Sequence, residues 1–384
     1  MKINGYNLFK KIGEGSFGEI YLTIKGNNPE LLVTKIIDIS TIKDENILNY
    51  LKKEKEIMAI LSHQNIIRLE NFIESNNKYY IIMEYCNGGN LSDLLDKYKK
   101  KYRKPFSIEI IQYFMFQLVE GLKFMHSNNV IHRDLKLQNI LNHFKKISKK
   151  YKNESVDFNE LDDNDLLNST VKIIDFGLSK ILGQNELATS YVGSPYNMDP
   201  FIIKEYQNNG GFEKMQGYNE KVDIWSLGTI CYQMFTGVPL FTLYDLDTLI
   251  QKVEKGNYSL PIDIQISKEF ISFLNSMLKY NGDSRLSAEE LSHHDFLKKN
   301  VKNFTKIDSH KNTKEKDFII INAIKNSNAI NNYKKLENSK EIYLKYIDNL
   351  YIDYKEVKKY FKKNDLPERE KDAEQKCKQI ENIK

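Results

Sequence analysis

Ten residues, HRDLKLQNIL at 132–141, hold an aspartate, a lysine two positions on and an asparagine three beyond that. Asp134 can accept the proton of an attacking hydroxyl, Lys136 can neutralise a transferring phosphoryl group, and Asn139 can ligate a magnesium ion. DFG at 175–177 adds Asp175, a second hard metal ligand, followed by the permissive Gly177. Upstream, LLVTK ends on Lys35, and Glu54 lies in a helical stretch. A strand lysine held by a helix glutamate can grip the α- and β-phosphates of a nucleotide. Glu56 competes for that role, but Glu54, nine residues before His63, has the better register. IGEGSFGEI supplies Gly13, Gly15 and Gly18, where backbone can approach phosphates with no Cβ in the way. Dinucleotide-binding turns share that spacing but open a helix, whereas a strand-like run follows here. Phosphoryl transfer asks for positioning more than covalent chemistry, and the base, lysines and metal ligands it needs all stand in this chain.

Two kinds of element must position these groups. YNLFKKIG, EIYLTIKG, LLVTKIID, IIRLENFIES and KYYIIMEY read as strands broken by turn signals, with one helix, NILNYLKKEKEIMAILS, between the third and fourth. From about residue 91 the pattern turns helical, in LSDLLDKYKK, IEIIQYFMFQLVEGLKFMHS, VDIWSLGTICYQMFTG and ISFLNSMLKY. The expected architecture is α+β: a small antiparallel β-rich lobe with one main helix, about 6–85, and a larger α-helical lobe, about 86–297. Residues 143–170, with five lysines followed by six acids, predict a disordered surface insertion.

The 384 residues are 41% hydrophobic and 28% charged, an ordinary globular balance. No stretch approaches a membrane span, and MKINGYNLFK lacks the apolar run of a signal peptide, so a soluble cytoplasmic protein is expected. Cys86, Cys231 and Cys377 have no paired spacing, which argues against a disulfide framework or zinc site. The net charge of +5 divides into −3 for residues 1–297 and +8 for 298–384. No nucleic-acid partner is expected; the basic segment reads as a solvated face or a contact for an acidic surface.

On these motifs, residues 6–297 resemble the eukaryotic protein kinase superfamily. The resemblance implies ATP and Mg2+ as cofactors, with Ile20, Val33 and Leu141 around the adenine, Met83 as gatekeeper, and Glu84, Tyr85 and Cys86 as the hinge. It implies that Asp223 and Trp225 anchor the catalytic loop and that Met58, Leu69, His132 and Phe176 form an internal spine. HRDLK resembles the serine/threonine type, with protein hydroxyls as acceptors, and Gln138 argues against a basic recognition motif. MEYCNGGNLSDLL, HRDLKLQNIL and GSPYNM are similar to the autophagy-initiating ULK family.

The chain departs from the family's Ala-Pro-Glu, which is Asp199-Pro200-Phe201 here. The glutamate's usual partner, matching Arg285, is retained, so Asp199 is the first candidate replacement and Glu205 the second. Arg133 resembles an arginine that pairs with an activation-loop phosphate, and Ser190 is favoured over Thr189 and Tyr191 as its site. Ser194, in GSP, resembles a residue of the substrate-receiving loop. In the 298–384 extension, Tyr343, Ile347, Leu350, Tyr354, Val357 and Phe361 form an apolar stripe on an expected helix, 340–363, for a partner, its own kinase domain or an anionic membrane surface. The rival to an active kinase is a pseudokinase scaffold that binds nucleotide without transferring phosphate.

Overall fold

The computed structural model describes residues 1–15, 18–26, 28, 30–42, 45–144, 158, 161–176, 179–181, 197–209, 217–240 and 266–298. Six strands make the first lobe: β1 (Lys2–Ile3), β2 (Tyr6–Gly15), β3 (Gly18–Lys25), β4 (Leu32–Asp38), β5 (Leu69–Ser75) and β6 (Lys78–Glu84). They form one antiparallel sheet in the order β1-β2-β3-β4-β6-β5. The two-residue β1, too short to carry a pattern, begins the sheet four residues before Tyr6. Period-two alternation sends Leu32, Ile36, Tyr80 and Ile82 to one small buried cluster, while Ile37, Tyr79 and Ile81 join the main core through the other face.

Helix α1 (Glu45–Ile60) covers that second face. Its buried positions, Leu51, Ile57 and Met58, recur at helical spacing, with Leu61 just beyond its end. Glu54 stands in the same buried stripe, a charge among hydrophobes, whereas Glu56 points to solvent.

The second lobe is helical. Helix α2 (Leu91–Tyr102), capped by Asn90, buries Leu91, Leu94, Leu95 and Tyr98 on one stripe. Helix α3 (Ile108–Ser127) is apolar nearly all round and buried accordingly. Then come β7 (Val130–Ile131), β8 (Ile140–His143), α4 (Asp163–Leu166), β9 (Thr170–Ile173), β10 (Lys180–Ile181) and α5 (Pro200–Asn209). Helix α6 (Lys221–Thr236) is a second largely buried helix, ended by Gly237 in the left-handed conformation. Helices α7 (Lys268–Met277), α8 (Ala288–Ser292) and α9 (Asp295–Lys298) close the lobe. The bilobal α+β architecture is the one expected.

The insertion expected to be disordered over 143–170 is built into the lobe at both ends. Phe144 is buried and its N–H donates to Asn87 Oδ1 at 2.8 Å. From Leu161 the chain packs on α2: Lys101 Nζ donates to the Leu161 carbonyl, and Tyr98 Oη to Asp163 Oδ1 at 2.9 Å. Asp162 and Asp165 form a capping box that nucleates α4. Two apolar anchors, Leu161 and Leu166, supply burial that the run of acids hides from a compositional reading. The central residues of the insertion lie outside the described residues, as do Gly177, Ser190, Ser194 and the 298–384 extension apart from Lys298.

Candidate active site

A buried carboxylate fixes the loop that carries Asp134. Asp223, wholly enclosed in the first turn of α6, accepts the N–H of His132 and of Arg133, each at 2.9 Å, and lies 2.9 Å from His126 Nε2. Burial works against its charge, but His126 and these N–H donors outweigh it and hold the carboxyl below the usual range. His132 then locks the next turn: Nδ1 accepts the Asp134 N–H at 3.3 Å, so Nε2 is the protonated nitrogen and donates to the Ile174 carbonyl at 2.9 Å. Its ring lies 5.5 Å from that of Phe176.

Arg133 and Asp175 both adopt positive φ, 69° and 68°, a conformation disfavoured for residues other than glycine. Local strain thus sits next to Asp134 and at Asp175 itself.

Asp134 is nearly buried, and its Oδ2 lies 3.0 Å from both Lys136 Nζ and Asn139 Nδ2. Asn139 Nδ2 also donates to the Asp134 carbonyl at 2.8 Å. With its amide nitrogen so committed, Asn139 presents Oδ1 as the acceptor for a cation. Asp175 supplies an exposed carboxylate one residue after Ile174, whose N–H is held by the Asn139 carbonyl at 3.0 Å. One amide oxygen and one carboxylate are hard donors suited to magnesium, and too few for a cage made by protein alone. The donor set therefore fits an ion whose other ligands come from phosphates and water.

On the upper side, Lys35 Nζ lies 3.5 Å from Glu54 Oε1, with side-chain exposures of 14% and 5%. Burial opposes the Lys35 ammonium, yet Glu54 and Asp175 together hold its pKa above the ordinary lysine value. Burial pushes Glu54 up, with Lys35 acting against it, and Glu54 Oε2 is buried without a hydrogen-bond partner among the described residues. Strand register puts Gly13 opposite Ile20, Ile20 opposite Lys35, and Val33 opposite Met83, so all five share one face of the sheet. Ile20, Val33 and Met83 are half-buried there, as is Leu141 on β8.

The glycines divide by cause. A Cβ on Gly18 would sit 1.8 Å from the Ile36 carbonyl oxygen, so the sheet itself requires glycine. On Gly13 it would meet, among the described residues, only Ile20 Cδ1 at 3.9 Å, so they leave the space over Gly13 open. Gly15 ends β2 opposite Gly18. In the hinge, burial pushes the Cys86 thiol up to about 12, and the Glu84 side chain turns aside to Lys172 while its N–H donates to the Arg68 carbonyl at 3.1 Å.

Three participants escaped the reading of motifs. Lys172 pairs with Glu84 across the lobes, His126 braces Asp223, and Ile12 stands 44% exposed at a β-bulge beside Gly13. Only Ile12 carried a local signal, an apolar residue next to the glycine loop.

Behind the site, Arg285 is buried and pairs with Asp199. It also donates to the carbonyls of Lys279, Lys221 and Tyr280 at 2.7, 2.9 and 3.1 Å, and lies 5.2 Å from the Trp225 ring. The Glu205 side chain lies outside the described residues.

A strand lysine held by a helix glutamate and drawn by Asp175, with a second aspartate held by lysine and amide in the helical lobe, is the arrangement of a protein kinase. Residues 6–297 match the protein kinase domain family, and the chain belongs to it. It is 32% identical over 296 residues to a probable serine/threonine-protein kinase of Dictyostelium discoideum, spanning 77% of this chain and 51% of that one. It is 31% identical over 295 residues to calcium-dependent protein kinase 4 of Plasmodium falciparum, spanning 76% and 49%. Over 306 residues it is 31% identical to serine/threonine-protein kinase atg1 of D. discoideum, spanning 78% and 40%. The chain thus spans about half the length of these relatives, or less.

Proposed function

We propose that this protein is an active serine/threonine kinase that transfers the γ-phosphate of ATP to protein hydroxyls. The observation that carries this reading is the convergence of Lys136 Nζ and Asn139 Nδ2 on Asp134 Oδ2, each at 3.0 Å. A carboxylate so held is oriented to take a hydroxyl proton, with a cation in place to meet the charge that develops on the phosphoryl oxygens. Lys35 grips the phosphates and Glu54 fixes Lys35. Asn139 Oδ1 and Asp175 would hold magnesium, which when bound neutralises phosphate charge. Ile12, Ile20, Val33, Met83 and Leu141 enclose the adenine, and the backbones of Glu84 and Cys86 bond its edge.

Lys136 and the names of the relatives support the serine/threonine type. A ULK-like role in autophagy is supported by GSPYNM and by likeness to atg1, although the calcium-dependent relative is equally similar. No D-x-D-x-D-G loop stands in residues 298–384, and transfer that is unchanged by a calcium chelator would favour the ULK-like reading. Ser190 is the proposed autophosphorylation site, with Arg133 receiving the phosphate; equal activity of Ser190→Ala and wild type would remove that part. The cytoplasm is the proposed location, with the 340–363 segment contacting a partner or membrane surface. Among the described residues no helix is long and apolar enough to cross a membrane.

The test is transfer of labelled phosphate from Mg-ATP to a generic serine/threonine substrate by wild type and Asp134→Asn. Loss of about 10²–10⁴-fold in the variant, with nucleotide still bound, is the expected result. No transfer by a folded, nucleotide-binding wild type would favour the scaffold reading.

A further inference from the structure

We propose that Lys172 is a positioning residue for the nucleotide, through an ion pair that ties the hinge to the strand delivering Asp175. The inference rests on the nucleotide-binding reading above and extends it to a residue outside the motifs. Lys172 Nζ lies 2.6 Å from Glu84 Oε1, and the same oxygen accepts the Arg68 N–H at 2.8 Å. The Glu84 N–H in turn donates to the Arg68 carbonyl at 3.1 Å, so both the backbone and the side chain of this hinge residue are held. The two side chains are 10% and 20% exposed, and an ammonium this enclosed requires a partner.

Lys172 belongs to β9, where three consecutive residues join the 65–67 segment and β8. Val171 accepts from Asn65 Nδ2 at 2.9 Å, Lys172 stands opposite Leu141, and the Ile173 N–H and carbonyl pair with Asn65 and Ile67 at 2.9 and 3.0 Å. Asp175 follows two residues later. The Lys172–Glu84 pair is a charged tie between this seam and the backbone that meets adenine, beside the neutral bonds of Asn87 with Phe144 and of Gly88 with Asn142. Without it Glu84 keeps its strand bonds but loses the charged contact that fixes the hinge relative to Leu141 and Asp175. Recognition by backbone groups tolerates displacements of only a few tenths of an ångström, so adenine affinity should fall while the groups around Asp134 stay in place.

The experiment titrates adenosine and Mg-ADP separately into wild type, Lys172→Met, Lys172→Arg and Glu84→Gln by calorimetry, alongside kcat and KM for Mg-ATP. Glu84→Gln keeps an acceptor for the Arg68 N–H while removing the charge, and serves if Lys172→Met does not fold. Both neutral variants should bind adenosine and Mg-ADP about 5- to 20-fold more weakly, with KM raised alike and kcat within about 3-fold, and Lys172→Arg should recover most of the loss. Unchanged adenosine affinity in the variants, even with lower thermal stability, would overturn the proposal and leave a purely structural tie. Weaker Mg-ADP with unchanged adenosine would also overturn it, by placing the effect at Asp175. Failure of folded wild type to bind either compound would instead overturn the nucleotide reading beneath it.

Discussion

Asp199 gives one carboxylate oxygen to Arg285 and the other to the N–H of Phe201, 2.9 Å away, so one side chain neutralises a buried guanidinium and caps α5. The family resemblance puts alanine at this position and the acid two residues later, where Phe201 instead faces the Tyr280 ring at 6.5 Å. Moving the acid to the N-cap keeps the ion pair and adds a cap, with Pro200 suited to the first helical position.

Asp199→Ala should cost about 3–5 kcal/mol, because it leaves Arg285 buried without its counter-charge. Arg285→Leu combined with Asp199→Ala should recover part of that loss, since the two residues form one interaction. Denaturant unfolding of the four proteins measures both effects, and a cost below about 1 kcal/mol for Asp199→Ala would show that the carbonyl contacts suffice for Arg285.

Gly13 and Gly18 should fail differently. Gly18→Ala forces a Cβ against the Ile36 carbonyl and should lower thermal stability by several degrees. Gly13→Ala has room among the described residues, so its melting temperature should hold while KM for ATP rises. The opposite pattern, read from thermal melts and steady-state kinetics, would mean the open space over Gly13 is not for ligand.

The Lys35–Glu54 pair should sacrifice stability for function. Lys35→Met with Glu54→Leu replaces an enclosed ion pair, one oxygen of which has no partner among the described residues, by apolar groups. Such replacements are often neutral or stabilising, so the double variant should unfold at or above the wild-type denaturant midpoint yet transfer no phosphate. Each single variant strands one charge and should be less stable than the double. A double variant less stable than both singles would contradict this account.

His63 should make stability depend on acid. Burial, and after it Lys172, pushes its pKa down to about 4 from 6.5. Between those values the unfolded chain binds a proton that the native chain does not, so stability falls as pH drops from 6.5 towards 4. Allowing for partial solvent exposure, the loss should be about 2 kcal/mol. His63→Asn should flatten that part of the profile; an unchanged slope would assign it to other groups.

Much of the site was legible because its chemistry is local in sequence. Asp134, Lys136 and Asn139 fall within six residues, 134–139, and a turn of fixed length brings them together. The sheet was legible from alternation, and α3 and α6 from apolar content over helical lengths. The ordered ends of the insertion were not, because Leu161 and Leu166 sit among acids and join the main core only when the chain folds back onto the lobe.

The sequence by itself determined the candidate site residues, the bilobal class and the retention of Arg285, since each is a matter of residue type at fixed spacing. Only the tertiary structure decided which acid reaches Arg285, which glycine the sheet requires, and that Lys172 answers Glu84. Those pairs lie 86 and 88 residues apart along the chain, and no periodicity links residues that meet only when packed lobes bring their strands and helices together.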